Sequence, residues 1–344
     1  MKFAIIGAGN SGKAATVYLT DKGQQVTLYD RNAEKVAALK KDGITSTGVI
    51  ETHIDVNATE SLAEAVKGAD YIMLFTLAAG HRPVARQLKG LLEQDQVIVI
   101  FNGDWGAVEF AAELGAEAAG KNVAICETGA QIFLSSSPDG VNSVNMKSIK
   151  NNITLACTVK EKAAAVVEAL HPLIPQLLVA DNVLFTSINN SNPIIHAPVT
   201  SFNICRMENG EDYTFYGQAA SRGSIDYVCK IDKERLAVAE AVGIEGQPIL
   251  DIINSFWPDK HDNLFDALTK NKSYIVTKGP TSLSHRYITE DVPFGIVPIA
   301  KLARRYGVKT PYLDAIINVL SLYLDEDFMA EGPDFEEIDV ATLL

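Results

Sequence analysis

The stretch KFAIIGAGNSG, Lys2 to Gly12, constrains this chain more than any other feature. Its first half is a short apolar run rich in β-branched residues, suited to a parallel strand buried on both faces. Gly7, Gly9 and Gly12 then follow at G-x-G-x-x-G spacing, and the next residues read as a helix ending near Gly23. In a strand–turn–helix context each glycine has a physical reason. Gly7 permits the tight turn, Gly9 lets the backbone approach a pyrophosphate, and Gly12 lets the helix pack close to the strand. The helix start at Asn10 and Ser11 offers unpaired N–H groups and a positive dipole end to phosphate. The bland alternative is a glycine turn in an α/β fold that has lost its ligand.

Asp30 stands eighteen residues after Gly12, at the end of the next strand, QVTLYD. An acid there binds the adenine ribose hydroxyls and favours NAD, whereas Arg31 beside it would meet the 2′-phosphate of NADP. The carboxylate repels that phosphate, so NAD is the expected cofactor and NADP the alternative. Gly7, Gly9, Asn10, Ser11, Gly12, Asp30 and Arg31 are the expected dinucleotide contacts.

The alternation continues. NAEKVAALKKDG reads as a helix with Asn32 as N-cap and Gly43 as its stop. ADYIMLF, QVIVIF and NVAIC read as strands, each preceded by a helical segment. This pattern implies right-handed crossovers and an α/β, doubly wound Rossmann sheet. Residues 127–150 read as irregular strands and turns. NITLACTV, the helix KEKAAAVVEALHPLI and QLLVADNVLF finish the sheet, and from about Ser187 the text is mostly helical. The 344 residues suit two domains, expected at 1–185 for the dinucleotide and 186–344 for substrate. GPDFEEIDVATL, near the C-terminus, is expected to pack loosely or fray.

The formal net charge of −13, with no basic stripe, argues against a nucleic-acid binder. No apolar run reaches the roughly 20 residues of a membrane span, and the N-terminus lacks the pattern of a signal peptide. Cys126, Cys157, Cys205 and Cys229 are widely spaced with no CxxC, and read as buried thiols of a reducing compartment rather than a disulfide frame or zinc site. A cytoplasmic location is expected.

One histidine needs explaining. SNPIIHAP, Ser191 to Pro198, holds His196 inside an apolar run. Taken alone, it reads first as a hydrogen-bonded core residue. Asp291 precedes VPFGIVPIAKLARRYG, where an acid suits a helix N-cap and Pro293 the first turn. Taken as a pair, a carboxylate beside an imidazole orients the ring, and the ring exchanges a proton near neutral pH.

NPIIHAPVTSFNICRME, DKERLAVAEAVG and GPTSLSHRYITEDVPFGIVPIAKLARRYGVKTPYLDAII, with the glycine motif, resemble the NAD/NADP octopine/nopaline dehydrogenases, the opine dehydrogenase family. The resemblance covers nearly the whole chain. It implies a Rossmann domain followed by an all-helical domain, an arrangement like that of 6-phosphogluconate dehydrogenase, with the active site between them. It implies reductive condensation of an amino acid with a 2-oxo acid by NADH or NADPH, a dehydrogenase acting on CH–NH donors. The family's catalytic histidine falls on His196 and its acid partner on Asp291. After ICETG the chain reads AQIFLSSSPDG, where the family pattern has an apolar, proline-containing stretch ending in a basic residue. That departure leaves the substrate's identity open.

Such a product carries at least two carboxylates, which an arginine fork would clamp. Arg286 is the first candidate, five residues before Asp291, with Arg222 and Arg206 next. Each also reads as a structural ion pair. His81, at a strand's carboxyl end, is a further candidate contact, and helix-start polarity explains it nearly as well. KIDKERLA reads as a solvated charged helix face. Two alternatives remain: a ketopantoate reductase-like 2-oxo acid reductase, and a dinucleotide-sensing binding protein without turnover. The apolar C-terminal helices also leave a homodimer open.

Overall fold

The computed structural model describes residues 1–333, 335 and 340. The expectation of a loose tail over 332–343 falls mostly outside those residues. Two compact units divide between Thr186 and Ser187.

The first unit is built on β1 (Lys2–Ile6), β2 (Gln25–Tyr29), β3 (Ile44–Gly48), β4 (Thr52–Ile54), β5 (Asn57–Thr59), β6 (Tyr71–Leu74), β7 (Val97–Ile100), β8 (Ala124–Thr128), β9 (Phe133–Ser136), β10 (Ser143–Ile149), β11 (Ile153–Cys157) and β12 (Leu177–Val179). The main sheet runs β12-β11-β8-β7-β6-β1-β2-β5. From β5 to β8 every neighbouring pair is parallel, and β11 turns antiparallel against β8. This is a doubly wound Rossmann sheet, its order reversing beside β1. Phe3–Ile6 and Ile72–Leu74 are at most 1% exposed, as a strand covered on both faces requires.

The crossovers are α1 (Asn10–Asp21), α2 (Ala33–Asp42), α3 (Leu62–Val66), α4 (His81–Leu88), α5 (Gly106–Gly120) and α6 (Lys160–Leu170). The Asn32 side chain caps α2 by accepting from the Lys35 amide, and Gly43 at φ 60° ends it.

A second sheet, β4-β3-β10-β9, lies outside the expected alternation. Residues 127–150 contribute β9 and β10, and β10 pairs in parallel with β3, almost a hundred residues earlier. QLLVADNVLF is strand only at Leu177–Val179, and its end belongs to α7 (Val183–Ile188).

The cysteine reading is corrected. Cys126 and Cys157 face each other in the antiparallel register of β8 and β11, Cα atoms 4.0 Å apart, joined as a disulfide. Register between distant strands brings them together, and sequence spacing does not show it. Of the free pair, Cys205 is exposed and Cys229 half-buried.

The second unit is helical: α8 (Ser191–Ser201), α9 (Ile204–Glu208), α10 (Arg222–Val242), α11 (Ile249–Phe256), α12 (Leu264–Thr269), α13 (Arg286–Thr289), α14 (Val297–Tyr306) and α15 (Pro311–Leu324). Residues 215–219 and 291–296 form wider π-helical turns, a geometry frequent at functional sites. α8 is the buried centre: Pro193 to Thr200 are all buried.

KIDKERLA is not a solvated face. Lys230 and Lys233 reach solvent, but Asp232, Glu234 and Arg235 are buried. Arg235 donates to Asp232 Oδ1 through Nε at 3.0 Å and Nη2 at 2.6 Å, and to Asn189 Oδ1 at 2.7 Å. Glu234 accepts the Tyr312 and Leu313 amides that open α15, at 2.9 and 2.8 Å. The charges sit inside because each has a partner there. No described helix is long and apolar enough to cross a membrane.

Candidate active site

The glycine loop has the shape its spacing implies. Gly7 adopts φ 104°, a left-handed conformation that disfavours any side chain. A Cβ on Gly12 would lie 1.8 Å from the Gly7 carbonyl oxygen, so only glycine lets α1 start this close to the loop. A Cβ on Gly9 would meet nothing within 4 Å, leaving open space where a pyrophosphate would approach the backbone.

Asp30 is buried beside that loop. Its Oδ2 accepts the Ala8 amide at 3.0 Å and Lys35 Nζ at 2.9 Å, and its Oδ1 accepts the Asn32 amide at 3.0 Å. Burial pushes the carboxyl up, but Lys35 and the two amides outweigh it and hold it below the usual range. Asp30 therefore stays ionised. Arg31 is exposed, Asn10 accepts from Ser137 Oγ at 2.6 Å, and Ser11 is half-buried at the helix start. The residues present fit a dinucleotide.

In the second unit, His196 Nδ1 lies 2.7 Å from Asp291 Oδ2, with the two side chains 4% and 1% exposed. They are 95 residues apart in sequence. A local packing detail allows the meeting: a Cβ on Gly295 would lie 2.2 Å from Pro193 Cβ, so the 291–296 turn approaches α8 only because residue 295 has no side chain. Among the described residues the Asp291 side chain makes one hydrogen bond, to the imidazole, and none to the following helix. Its carboxylate serves the imidazole rather than the helix end, and Oδ1 has no partner among the described residues.

His196 Nε2 lies 3.0 Å from the Tyr216 hydroxyl, and Tyr287 stacks on the ring with centroids 3.8 Å apart. Burial pushes the Tyr216 phenol well above its ordinary value, and Tyr287 up to about 12. Both remain protonated near neutral pH. Arg286 sits over Tyr287 at 5.5 Å and pairs with Glu290 at 3.1 Å. Burial disfavours its charge, but Glu290 and Asp291 more than compensate, and it stays cationic.

The sequence profile of the NAD/NADP octopine/nopaline dehydrogenase alpha-helical domain matches residues 179–324, and that of ketopantoate reductase PanE/ApbA matches residues 3–148. The chain is 31% identical to an opine dehydrogenase from Arthrobacter sp. (strain 1C), over 99% of this chain and 96% of that one. The chain belongs to the opine dehydrogenase family. Membership makes it an NAD(P)-dependent dehydrogenase. The fold agrees: octopine dehydrogenase in complex with NADH and agmatine superposes with TM-score 0.76 at 19% identity, covering 94% of this chain and 90% of that one. NADP⁺-bound yersinopine dehydrogenase superposes with TM-score 0.75 at 16% identity, covering 96% and 91%.

In this opine dehydrogenase-family chain only part of the expected cation set gathers at the histidine. Arg286 shares its electrostatic neighbourhood with Asp291. Arg206 is instead committed to Glu211 at 2.9 Å and to the Gln218 carbonyl, lying 4.2 Å over the Tyr213 ring. Arg222 stacks 4.6 Å over Phe265. Arg206 is thus held by its own helix and the loop after it, and Arg222 lies against α12.

His81 does not face an open cleft. It is 1% exposed, both ring nitrogens lack a hydrogen-bond partner among the described residues, and burial pushes it down to about 4. It packs where the missing Cβ of Gly106 leaves room. His285 caps α13 by accepting the Tyr287 amide at 3.2 Å.

Two aromatic neighbours of the histidine and one buried acid escaped the sequence reading. Tyr216 and Tyr287 look like ordinary aromatic core residues in DYTFYG and SHRYIT, and nothing in their spacing ties them to His196. Glu127, fully buried at the end of β8, accepts the Ala107 amide at 2.9 Å and Thr186 Oγ1 at 2.6 Å, bracing the start of α5. Its only signal was an acid in the strand-like ICETG.

Proposed function

We propose that this chain joins an amino acid to a 2-oxo acid and reduces the resulting imine, with NADH as the preferred donor and NADPH as the alternative. The His196–Asp291 contact, buried and 2.7 Å long, carries the reading. The likeness to an opine dehydrogenase and to solved octopine dehydrogenase supports it.

In this reading residues 1–185 hold the dinucleotide, through Gly7, Gly9, Asn10, Ser11, Gly12 and Asp30, and residues 186–344 hold substrate. The ionised Asp30 favours the unphosphorylated ribose, whereas Arg31 and Lys35 are the cations that a 2′-phosphate would find. Bound dinucleotide supplies a hydride to the imine carbon.

The chain's own groups handle protons and orientation. Asp291 accepts the Nδ1 proton of His196, which leaves Nε2 as the working nitrogen. The amine adds to the oxo acid's carbonyl to give a carbinolamine. His196, protonated, gives a proton from Nε2 to the departing oxygen, which leaves as water as the C=N bond forms. The nitrogen keeps its own proton, so the C=N group is cationic when it is reduced and the product is a neutral secondary amine, and solvent returns a proton to the ring. Arg286 clamps a substrate carboxylate. A cytoplasmic location belongs to the same reading.

The test is an NADH-oxidation screen pairing pyruvate and other 2-oxo acids with a set of amino acids. Turnover should require both organic partners, and His196→Ala should lower kcat by about 10²- to 10⁴-fold, the usual contribution of a general acid–base. Oxidation by the oxo acid alone would mean plain ketone reduction instead.

A further inference from the structure

Lys13 follows Gly12 directly and is the fourth residue of α1. A lysine there would ordinarily reach water, but this one is 3% exposed. Its ammonium donates to the carbonyl oxygens of Gly140, Val141 and Ser143 at 3.2, 2.9 and 2.7 Å. They lie where the turn after β9 enters β10, in the second sheet, which packs over α1. The same turn meets the start of α1 at Ser137, whose hydroxyl donates to Asn10 Oδ1.

Three carbonyls occupy the ammonium's three protons, but they are neutral and leave its charge unbalanced. Among the described residues no carboxylate pairs with it. The charged neighbour that acts on it is a second cation, Lys35 of α2, and burial together with Lys35 lowers Lys13 to about 8. Asp30 is committed to Lys35, and Asp139 in the turn is exposed. Nor does the turn depend on this charge for its shape. Asn142 Nδ2 donates to the Ala38 and Gly43 carbonyls at 2.9 and 2.7 Å, and Ser143 Oγ accepts the Asp139 amide at 3.0 Å. A buried charge is costly unless an opposite charge meets it. At 1.5 Å of rise per residue, Lys13 stands within about one turn of the amides that open α1, the place where a helix receives phosphate.

We propose that Lys13 is the buried counter-charge of the dinucleotide's pyrophosphate, a cation that acts across the first turn of α1 without touching the phosphates. The inference rests on the dinucleotide lying at the glycine loop. Across one helical turn, at the effective dielectric of a protein, a unit charge should change the affinity for a dianion by at least about tenfold. The dianion in turn favours the charged ammonium and raises its pKa. Binding therefore takes up protons where the free chain has lost them. By the same linkage, affinity is complete below about pH 8 and falls as pH rises beyond it. Burial holds Tyr29, at the end of β2, above its ordinary value and outside this window.

Calorimetric titration of NADH into the full chain tests this, from about pH 7 to about pH 9.5, in two buffers of different ionisation enthalpy. Wild type should take up a fraction of a proton at about pH 9 and lose about tenfold in affinity across the range. Lys13→Met keeps the length without the charge. It should bind at least about tenfold more weakly at neutral pH, with no proton uptake and a Kd flat with pH. Lys13→Arg stays charged throughout. It should match wild type at neutral pH and escape the alkaline loss, and it decides the matter should the methionine variant not fold by far-ultraviolet dichroism. Wild-type binding without proton uptake overturns the proposal. So does a folded Lys13→Met chain that keeps the wild-type pH profile, since Lys13 would then only fasten the turn. Gly12→Val separates the two readings. If that variant binds NADH normally, the dinucleotide does not lie at the glycine loop and both readings fail. If it does not bind and the Lys13 variants follow wild type, this inference alone fails.

Discussion

Which nitrogen of His196 carries the proton decides what the residue can do. Asp291 Oδ2, at 2.7 Å, accepts a proton from Nδ1 and so leaves the lone pair on Nε2, where the Tyr216 hydroxyl lies at 3.0 Å. Asn at position 291 keeps the shape but presents an amide that can donate to Nδ1, which reverses the tautomer. Asp291→Asn should therefore cost about 10²- to 10⁴-fold in kcat, comparable to losing the acid–base itself, with little change in KM for NADH. Tyr216→Phe removes one hydrogen bond, worth about 0.5–1.5 kcal/mol, and should cost about tenfold or less. Steady-state kinetics of the two variants checks the ranking. Equal losses would place the phenol in the proton path and refute the division of labour. The sequence offered the histidine and the aspartate as a pair because each sits in a stretch with a specific pattern, and the structure brings the two into contact. The phenol was not, because a tyrosine in an aromatic run looks the same whether it packs or touches an imidazole.

The pairing of α4 with α5 makes a prediction about pH. His81 opens α4, and burial holds it at about 4, below its ordinary 6.5. Glu109 in α5 is held up at about 7 by burial, with Arg82, 3.8 Å away, opposing. The unfolded chain binds the histidine proton more readily, so the neutral ring's contribution is complete above pH 6.5 and is lost as pH falls towards 4. The folded chain binds the glutamate proton more readily, so that contribution is complete below about 4.5 and is lost as pH rises through 7. Each is worth about 3 kcal/mol at most, by 1.36 kcal/mol per unit. They oppose each other over one window. Relative to wild type, His81→Leu should lose stability as pH rises from about 4.5 to 7, and Glu109→Gln should gain it. Urea unfolding at several pH values reads the difference, and parallel profiles for all three chains would sink the idea. Elements carrying their own signal were legible: β1 as an apolar run, α2 with its Asn32 cap and glycine stop. The β4-β3-β10-β9 sheet was not. Its strands are rich in polar residues and lack a clean in–out alternation, as in ITSTG, and their pairing is decided by register across distant segments. The Cys126–Cys157 link was hidden for the same reason.

At the scale of the molecule, the change from strand–helix alternation to nearly continuous helix was visible because two different hydrophobic periods stand side by side. The placing of His196 against Asp291 was not visible in that pattern, since it depends on Gly295 admitting Pro193 between helices far apart in sequence. Each unit has its own apolar core, around Ile5, Leu28 and Val99 in the first and around Ile194, Val228 and Ile299 in the second. Units with separate cores unfold separately unless something couples them. Calorimetry should then resolve two transitions, only one of them sensitive to NADH. At about a hundred times its dissociation constant a ligand adds about 2.7 kcal/mol to the state it binds. For a unit of this size that raises Tm by about 5–10 °C. Were the whole chain to melt as one, the same free energy would be spread over nearly twice the unfolding entropy, and the single Tm would move about half as far. Gly12→Val, whose Cβ would collide with the Gly7 carbonyl, should abolish the shift while leaving the NADH-insensitive transition in place. A full shift in that variant would mean that the dinucleotide does not bind at the glycine loop.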